Sequence, residues 1–456
     1  MSELPQGWAP ARIGELASKI GSGATPRGGV KAYKLSGTPL LRSLNVHFDG
    51  VRDEGIAYID DEQAAKLENV QVETADVLLN ITGASIGRVA IAPERYHGAR
   101  VNQHVAIIRT VDGVEPSFLS RYLASPDAQS RILEENYGVT RQALTKGMIE
   151  DFPVCLPPLP EQRRIVAKLD RLSARSAAAR AHLARTTKLA TRAKQAIWDQ
   201  AFSGRMTASW RGTAELTTWR HLRCSEACDK VQSGGTPKKD GFCDEDGIPF
   251  LKVYNIVNQK VAFEYKPQFL TNEAHNTKGR KSKLKPGDVL MNIVGPPLGK
   301  VAIVPDTYSE WNCNQAITVF RPSKIVSTEW IYHFLCSGIS VASVVGETRG
   351  VVGQVNISLT QCRNFVIPVP PVDEQVEIVR RIESAFTRID RLTEEASRAA
   401  HLLDRLDERL LAKAFRGELV PQEPEDEPAE ALLTRIREAR AAAPKAKRGR
   451  RKKADA

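Results

Sequence analysis

The sequence predicts an α+β protein with two similar globular domains, separated by a long antiparallel two-helix coiled coil. Three observations support this fold class: an internal repeat, short β-rich runs between turn residues in each copy, and two long heptad-patterned segments. The chain has 456 residues, enough for about three domains of roughly 150 residues each. Its apolar content of 42% supports packed cores rather than wholesale disorder.

The internal repeat covers most of the chain. Residues 75–93 (ADVLLNITGASIGRVAIAP) and 287–305 (GDVLMNIVGPPLGKVAIVP) share 11 of 19 positions. Further pairs are SGATP and SGGTP (22–26, 233–237), GTPLLR and GIPFLK (37–42, 247–252), NQ and NQ (102–103, 314–315), LPPLPEQRRIV and VPPVDEQVEIV (156–166, 369–379), and AFSG and AFRG (201–204, 414–417). Because the offset stays between 210 and 213, the chain contains one unit twice. Two similar halves around an antiparallel helix pair would be related by a pseudo-two-fold axis.

The first part of each copy reads as a mixed globular domain, over residues 1–156 and 214–369. Apolar runs bracketed by glycines predict strands at 77–81 and 89–91, and at 289–293 and 301–303. Short helices are expected at 116–123 and 328–335.

The second part of each copy, residues 157–213 and 370–417, predicts a long helix. A Pro-Pro pair precedes each helix, and no proline or glycine interrupts 161–202 or 374–415. Apolar and small residues recur at alternating steps of four and three over about five heptads, from Ile165 to Ile197 and from Ile378 through Leu392 and Leu406 to Leu410. A bundle core is the alternative. Because helix one leads to domain two and helix two leaves it, pairing must be antiparallel, which predicts a dumbbell with one domain at each end.

The formal charge of +11 is uneven along the chain. Residues 161–202 hold ten basic and three acidic side chains, and residues 445–456 hold seven basic and one acidic. Residues 418–430 are acidic and rich in proline, so we expect 418–456 to be an acidic linker followed by a basic disordered tail. Duplex phosphates are the usual partner of such basic segments. A solvated tail, and an acidic protein partner for helix one, are the alternatives.

Several classes of protein are excluded or disfavoured. No run approaches the ~18 apolar residues of a membrane span, and the first residues lack an apolar signal core. Seven scattered cysteines read as reduced thiols, which favours a cytoplasmic protein.

Together these motifs resemble one family. The opening PQGW (5–8), the SG-x-TP blocks, the DVL-x-NI-x-G blocks and the two EQ-x-x-IV helix entries are similar to the specificity subunit of type I restriction–modification systems, over about residues 1–420. The resemblance implies two target-recognition domains that read the halves of a split, asymmetric sequence in double-stranded DNA.

The resemblance also implies partners. The helices would set the gap between the half-sites and dock two methyltransferase (modification) subunits, which bind S-adenosylmethionine and methylate adenine. Restriction/translocase subunits that use ATP and Mg would then join. The chain itself would be non-enzymatic, without a cofactor or metal of its own.

Catalytic motifs fail when they are tested against the sequence. No GK[ST] follows the glycines at 21–23, Gly299-Lys300 is followed by valine, and no Pro-Pro pair has the flanking residues of an amino-methyltransferase. Asp246 with Glu264 and Lys266 matches a nuclease only loosely, because the first copy lacks the lysine. His221, Cys224 and Cys228 lack a fourth zinc ligand at a recognisable spacing. A self-sufficient nuclease or methyltransferase, and a coiled-coil scaffold that does not bind DNA, remain the alternative functions.

Candidate DNA contacts are polar residues in loops that both copies share, because such side chains read bases or anchor phosphates. They are Thr25, Arg27, Arg42, Ser43, Asn45 and Arg141 in the first copy and Thr236, Lys238, Lys239, Lys252, Tyr254, Asn255 and Arg349 in the second. Arg42 and Lys252 align and are candidate phosphate anchors. The rival interpretation is that repeated residues hold the fold, especially Asn80, Asn292, Gln103 and Gln315, while differing residues such as His47 and Val257 read bases.

Overall fold

The computed structural model describes residues 4–26, 28, 32–134, 143–244, 246–345 and 356–442. The chain divides into two compact units, which we call unit 1 (residues 1–183 and 398–456) and unit 2 (residues 184–397). We call residues 4–156 head 1 and residues 214–369 head 2. Each unit therefore contains one head and part of both long helices.

Head 1 is built on a four-stranded antiparallel sheet with the order β2-β10-β7-β8. A three-stranded sheet β6-β3-β9, the pair β1-β11 and the hairpin β4-β5 complete it. Its strands are β1 (Ala9–Arg12), β2 (Ala17–Ser22), β3 (Thr38–Leu41), β4 (Val46–His47), β5 (Gly50–Val51), β6 (Ala57–Ile59), β7 (Val77–Asn80), β8 (Val89–Ile91), β9 (Arg100–Val101), β10 (Val105–Thr110) and β11 (Pro153–Leu156).

Head 2 repeats this plan. Its four-stranded sheet has the order β13-β22-β19-β20, beside the sheet β14-β18-β15-β21, the pair β12-β23 and the hairpin β16-β17. Its strands are β12 (Arg220–Arg223), β13 (Cys228–Ser233), β14 (Phe242–Cys243), β15 (Ile248–Leu251), β16 (Ile256–Val257), β17 (Lys260–Val261), β18 (Phe269–Leu270), β19 (Val289–Asn292), β20 (Val301–Ile303), β21 (Asn312–Cys313), β22 (Ile317–Pro322) and β23 (Val366–Val369).

The helices complete an α+β chain. They are α1 (Ile13–Leu16), α2 (Asp61–Ala65), α3 (Pro116–Leu123), α4 (Pro126–Glu134), α5 (Lys146–Asp151), α6 (Leu159–Phe202), α7 (Ala208–Arg211), α8 (Cys224–Ala227), α9 (Asn272–Asn276), α10 (Thr328–Cys336), α11 (Ile339–Val345), α12 (Leu359–Asn364), α13 (Val372–Phe415) and α14 (Ala429–Ala442). The strands and short helices expected from the repeat are confirmed within one residue. None of the helices in the described part of the chain has the length and apolar content needed to cross a bilayer.

The four-stranded sheet of each head is covered on both faces. Along β7, Val77 and Leu79 belong to one core cluster, whereas Leu78 belongs to another on the opposite face. In β19, Val289 and Met291 likewise face away from Leu290. Successive side chains in a strand point to opposite faces, so burial on both sides requires the continuous apolar runs of the DVL blocks.

The two 44-residue helices α6 and α13 run antiparallel within each unit, as predicted. In unit 1, Ser176 donates a hydrogen bond to Asp407 (2.8 Å), and Arg180 forms ion pairs with Asp407 and with the earlier residue Asp404 (2.7 and 2.8 Å). In unit 2, Lys194 pairs with Asp390 (2.5 Å), and the ring of Trp198 packs on that of Phe386 with centroids 5.1 Å apart. Partner numbers fall as helix-one numbers rise, which defines the antiparallel direction.

Two positions of the predicted helix-two seam are wrong. Leu392 and Leu406 were expected to face helix one, but they are 58% and 47% exposed. Asp407 takes the inward position in place of Leu406, because Ser176, which is 5% exposed, and Arg180 both bind its carboxylate. The polar contact therefore sets the register locally, whereas the heptad pattern had favoured the leucine.

The buried glutamines of the EQ-x-x-IV blocks fix the start of each long helix. Gln162 donates to the Pro157 carbonyl and accepts from the Glu115 amide, both at 2.9 Å. Gln375 makes the corresponding bonds to Pro370 and Ser327. Each glutamine is fully buried, so its amide satisfies backbone groups that would otherwise be unpaired.

The expected linker and disordered tail at 418–456 must be corrected for the part that the structure describes, residues 418–442. Helix α14 packs on head 1, where Ala429, Leu433 and Ile436 are buried in its core. In the acidic stretch, Asp426 forms an ion pair with Arg164 at 2.7 Å, so the acidic residues are not simply solvated. The basic residues of 445–456 lie outside the described residues.

Candidate nucleic-acid interface

Four repeated segments meet at one end of the main sheet in head 1. The Gly23 amide donates to the Asn102 carbonyl (3.2 Å), and the Asn102 amide donates to the Leu41 carbonyl (3.1 Å). The side chain of Asn80, at the end of β7, donates to the Ser43 carbonyl (2.8 Å). We call residues 22–26, 41–45, 80–82 and 102–104 loop edge 1.

Head 2 builds the corresponding loop edge 2 from residues 233–239, 251–255, 292–294 and 314–316. The Gly235 amide donates to the Cys313 carbonyl, and the Asn314 amide donates to the Leu251 carbonyl, both at 3.0 Å. The Ile293 amide donates to the Ala316 carbonyl (2.9 Å). Two of these bonds repeat bonds of head 1. Asn314 with Leu251 repeats Asn102 with Leu41, and Ile293 with Ala316 repeats Ile81 with His104.

The glycine in SG-x-TP is required by a close backbone approach. A Cβ at Gly23 would lie 1.7 Å from the Val101 carbonyl oxygen, and one at Gly234 would lie 2.1 Å from that of Asn314. No side chain fits in this space. The SG-x-TP loop is thereby pressed against the neighbouring loop in both heads.

Thr25 and Thr236 occupy equivalent places in these loops. The hydroxyl of Thr25 donates to Oε1 of Gln103, and that of Thr236 donates to Oε1 of Gln315. Because the two heads share this bond, it supports the interpretation that the repeated glutamines hold the loop edge. Thr236 remains exposed, and Thr25 is half-buried.

Asn45 and Asn255, proposed from the sequence as base contacts, are fully buried. Oδ1 of Asn45 accepts from the Arg42 amide (3.1 Å), and its Nδ2 donates to the Glu54 carbonyl (3.0 Å). Asn255 repeats these bonds with Lys252 and with Tyr265. Both side-chain amides therefore stabilise their own loop.

Arg42 and Lys252 are both half-buried but differ in their contacts. The guanidinium of Arg42 donates to the Gly55 carbonyl and lies 5.2 Å from the centroid of the Tyr33 ring. Nζ of Lys252 lies 5.8 Å from the centroid of the Phe242 ring. The ring quadrupole attracts a cation above its face, so each contact positions the cation.

The remaining candidates that the structure describes are Ser43, Tyr254, Lys238 and Lys239. Ser43 is half-buried in loop edge 1. Tyr254 donates to the Lys266 carbonyl (3.3 Å), and partial burial raises the pKa of its phenol. Lys238 and Lys239 are exposed, and within the described residues neither forms a salt bridge. Lys239 and Lys252 line one cavity of about 510 Å³. Arg27, Arg141 and Arg349 lie outside the described residues.

The sequence interpretation missed a run of cations in head 2. Residues 278–285 read KGRKSKLK, with five basic residues and no acidic one. A local charge count detects this run, whereas a comparison of the loops that both copies share does not. In the described part of the chain, no three His, Cys, Asp or Glu residues are grouped as a metal site would require.

Comparison with known proteins identifies relatives along the whole chain. The family model described as type I restriction modification DNA specificity domain matches residues 5–184 and 217–399. The EcoBI specificity subunit of Escherichia coli is 28% identical over 355 residues, 73% of each chain. The EcoKI specificity subunit of E. coli strain K12 is 23% identical over 99% of each chain.

Solved structures share the fold. The HsdS subunit from Thermoanaerobacter tengcongensis covers 91% of this chain and 98% of its own, with a TM-score of 0.56 and 20% identity. A chain from a study of complex assembly and conformational transition of the type I R-M system covers 92% and 100%, with a TM-score of 0.68 and 20% identity.

Proposed function

This chain belongs to the family of type I restriction–modification DNA specificity proteins, and from that premise we propose how it selects a target. Each head would read one half of a bipartite, asymmetric sequence in double-stranded DNA. The helices would scaffold two modification subunits, and restriction/translocase subunits would join this assembly.

The observation that carries the proposal is that the two loop edges share several internal bonds, among them those of Thr25 with Gln103 and of Thr236 with Gln315, but not their surface. Gly23 and Gly234 approach the neighbouring backbone in the same way, whereas surface positions differ between the copies. Leu44 of head 1 aligns with Tyr254, and exposed Phe48 aligns with exposed Asn258. A shared scaffold with unlike contact residues suits two unlike half-sites, because base-edge contacts specify sequence whereas backbone contacts only position the protein.

Chemistry would belong to the partners in this assembly. The modification subunits would bind S-adenosylmethionine and methylate adenine, and the restriction subunits would use ATP and Mg. The chain would contribute no catalytic group, in keeping with the lack of nuclease and methyltransferase motifs in its sequence.

Methylation mapping tests the proposal directly. A genome should be exposed to this chain with its modification subunits, and all modified adenines mapped. We expect one split, asymmetric motif with a fixed gap. Methylation without a sequence preference would instead support a scaffold that does not read DNA, and cleavage or methylation by the purified lone chain would support a self-sufficient enzyme.

Exchanging head 1 assigns the two half-sites. Residues 1–156 should be replaced by the corresponding residues of a relative with a known, different target, and the reciprocal exchange of 214–369 is the matched control. We expect each exchange to change one half of the motif and to leave the other half and the gap unchanged. If either exchange changed both halves, the assignment of one half-site to each head would be wrong.

A further inference from the structure

Head 2 carries a basic surface that the shared loop edges do not explain. We call Lys278, Arg280, Lys281 and Lys285 the head-2 basic patch. All four are exposed, and none forms a salt bridge within the described residues. Unpaired surface cations of one sign attract a polyanion, since little energy is spent in breaking internal ion pairs.

The structure gives this patch a precise counterpart in head 1. A short 3-10 turn spans Arg280–Ser282 in head 2 and Glu68–Val70 in head 1. After the turn, the Leu284 amide donates to the Trp311 carbonyl, and the Val72 amide donates to the Ala99 carbonyl, each at 2.9 Å. The two segments therefore follow the same backbone path.

The charges on these matched backbones are opposite at two positions, and at a third a lysine replaces a neutral asparagine. Arg280 corresponds to Glu68, Lys281 to Asn69, and Lys285 to Glu73. The amides of Glu73 and Lys285 bind the equivalent carboxylates Asp76 and Asp288 at 2.7 and 2.8 Å, which fixes the alignment. The side chain of Glu73 pairs with Arg109 in head 1, whereas Lys285 has no such ion pair among the described residues.

The patch adjoins loop edge 2. A Cβ at Gly235, in the SG-x-TP loop, would lie 4.0 Å from both the Lys278 carbonyl oxygen and Oγ of Ser282. Arg280 and Lys281 also line a cavity of about 510 Å³ with Lys230 and Arg363, in which Asp229 is the acidic member. In head 1, the cavity beside the SG-x-TP loop is lined instead by Asp60, Glu62 and Lys66.

We propose that the head-2 basic patch binds the phosphate backbone of the DNA on which loop edge 2 is seated, and that head 1 has no equivalent contact. Head 2 would then supply most of the salt-dependent, sequence-independent affinity for DNA. Head 1 would depend on head 2 to remain bound to the DNA. The inference rests on the proposed function, because it takes the loop edges to be where the heads meet DNA.

Salt titration of DNA binding tests the inference in the complex of the full chain with its modification subunits. The patch variant is Lys278→Gln, Arg280→Gln and Lys281→Gln. The matched control is Arg205→Gln, Arg220→Gln and Lys324→Gln, which removes the same formal charge from exposed positions of unit 2. Each phosphate contact contributes about 0.9 to the slope of log affinity against log salt. We expect the patch variant to lose about two to three from the magnitude of this slope, and the control to keep the wild-type slope.

A gain-of-function variant makes the test independent of folding losses. Glu68→Arg with Asn69→Lys transfers the charge of head 2 to the matched turn of head 1, and should increase the slope by about one to two.

The outcomes separate the inference from the function on which it rests. An unchanged slope in the patch variant, in a complex that still methylates its motif, would overturn the inference alone. Loss of complex assembly in the patch variant, with normal assembly of the control, would also overturn it, since the patch would then bind a protein partner. A wild-type complex without any sequence preference would instead overturn the proposed function.

Discussion

The indole nitrogen of Trp8 donates a hydrogen bond to Oε2 of Glu161 at 3.1 Å, and Trp219 binds Glu374 in the same way at 3.0 Å. Each tryptophan lies before the first strand of its head, and each glutamate lies in the first turn of a long helix. Both carboxylates are 1% exposed. The bond therefore joins the beginning of a head to the helix that leaves it, which explains the glutamate of the EQ-x-x-IV blocks.

The two tryptophan–glutamate bonds should differ in how much stability is lost when the tryptophan is replaced. Glu374 also accepts from Thr207 (2.7 Å) and pairs with Arg211, whereas Oε1 of Glu161 is buried without a hydrogen-bond partner among the described residues. Trp8→Phe leaves the Glu161 carboxylate without its indole donor and should lower the free energy of unfolding by about 1–3 kcal/mol. Trp219→Phe should cost less, because two donors remain. Urea unfolding followed by circular dichroism measures both, and equal losses would contradict the explanation.

Acid should destabilise unit 2 through His333. Its ring is 4% exposed, its Nδ1 accepts from the Trp198 indole at 3.4 Å, and burial lowers its pKa from 6.5 to about 4. Between these two pKa values the unfolded chain binds a proton that the folded chain does not. The stability that neutral His333 contributes is therefore complete above pH 6.5 and is lost as pH falls towards 4. Between pH 7 and 4.5 the loss should be about 2–3 kcal/mol.

The comparison with His333→Phe isolates this effect from other acid titrations. Five of the six tryptophans lie in unit 2, so their fluorescence follows its unfolding. The difference in unfolding free energy between wild type and variant should shrink or change sign in favour of the variant as pH falls from 6.5 to 4.5. A difference that stays constant with pH would show that His333 is not held neutral.

The sequence predicts the helices and main strands because those elements follow from local patterns. The heptads define α6 and α13, and the DVL blocks define β7 and β19. The same reasoning failed at Leu406, where the Ser176–Asp407 hydrogen bond decides which side faces inward. It also failed at Asn45, because only the folded loop shows that its side-chain amide forms hydrogen bonds with the backbone of Arg42 and Glu54. The partner of Ser176 is distant in sequence, and those of Asn45 depend on how its own loop folds. Periodicity and composition contain neither kind of information.

Helix α14 is another element that local sequence patterns did not predict. The acidic, proline-containing residues before α14 favoured a linker. In the structure α14 is an amphipathic helix, and its Leu433 is fully buried against head 1. Leu433→Ala should lower the unfolding free energy of unit 1 by about 2–5 kcal/mol. The control Leu402→Ala, at a position 62% exposed in the same unit, should change it by less than about 0.5 kcal/mol. Equal effects of the two substitutions, measured by urea unfolding, would mean that α14 does not stabilise the head.

Charge exchange tests the helix register in unit 1. Arg180 pairs with Asp407 at 2.7 Å and with Asp404 at 2.8 Å. Arg180→Asp places like charges together and should lower the melting temperature, by an amount corresponding to about 1 kcal/mol. Adding Asp407→Arg should restore part of that loss. If the double variant is no more stable than the single one, these helices pair in another register.

Arg42 and Lys252 occupy equivalent positions, but their substitution should have different effects on folding and DNA binding. Lys252→Gln removes a cation that lies over the ring of Phe242 and forms no salt bridge within the described residues. We therefore expect normal folding, weaker binding to every duplex, and a salt slope smaller by about one. The methylated motif should remain unchanged, because a phosphate anchor carries no sequence information.

Arg42→Gln also removes the bond to the Gly55 carbonyl and the packing on Tyr33. Head 1 should therefore lose about 1 kcal/mol of stability in addition to the change in slope. Salt titration and urea unfolding of both variants distinguish the two losses, with Lys324→Gln as an exposed control. A lost base contact costs about 1–3 kcal/mol of discrimination at one position of the motif. If the methylated motif of either variant became less specific at one base, the substituted residue would read that base and would not be a phosphate anchor.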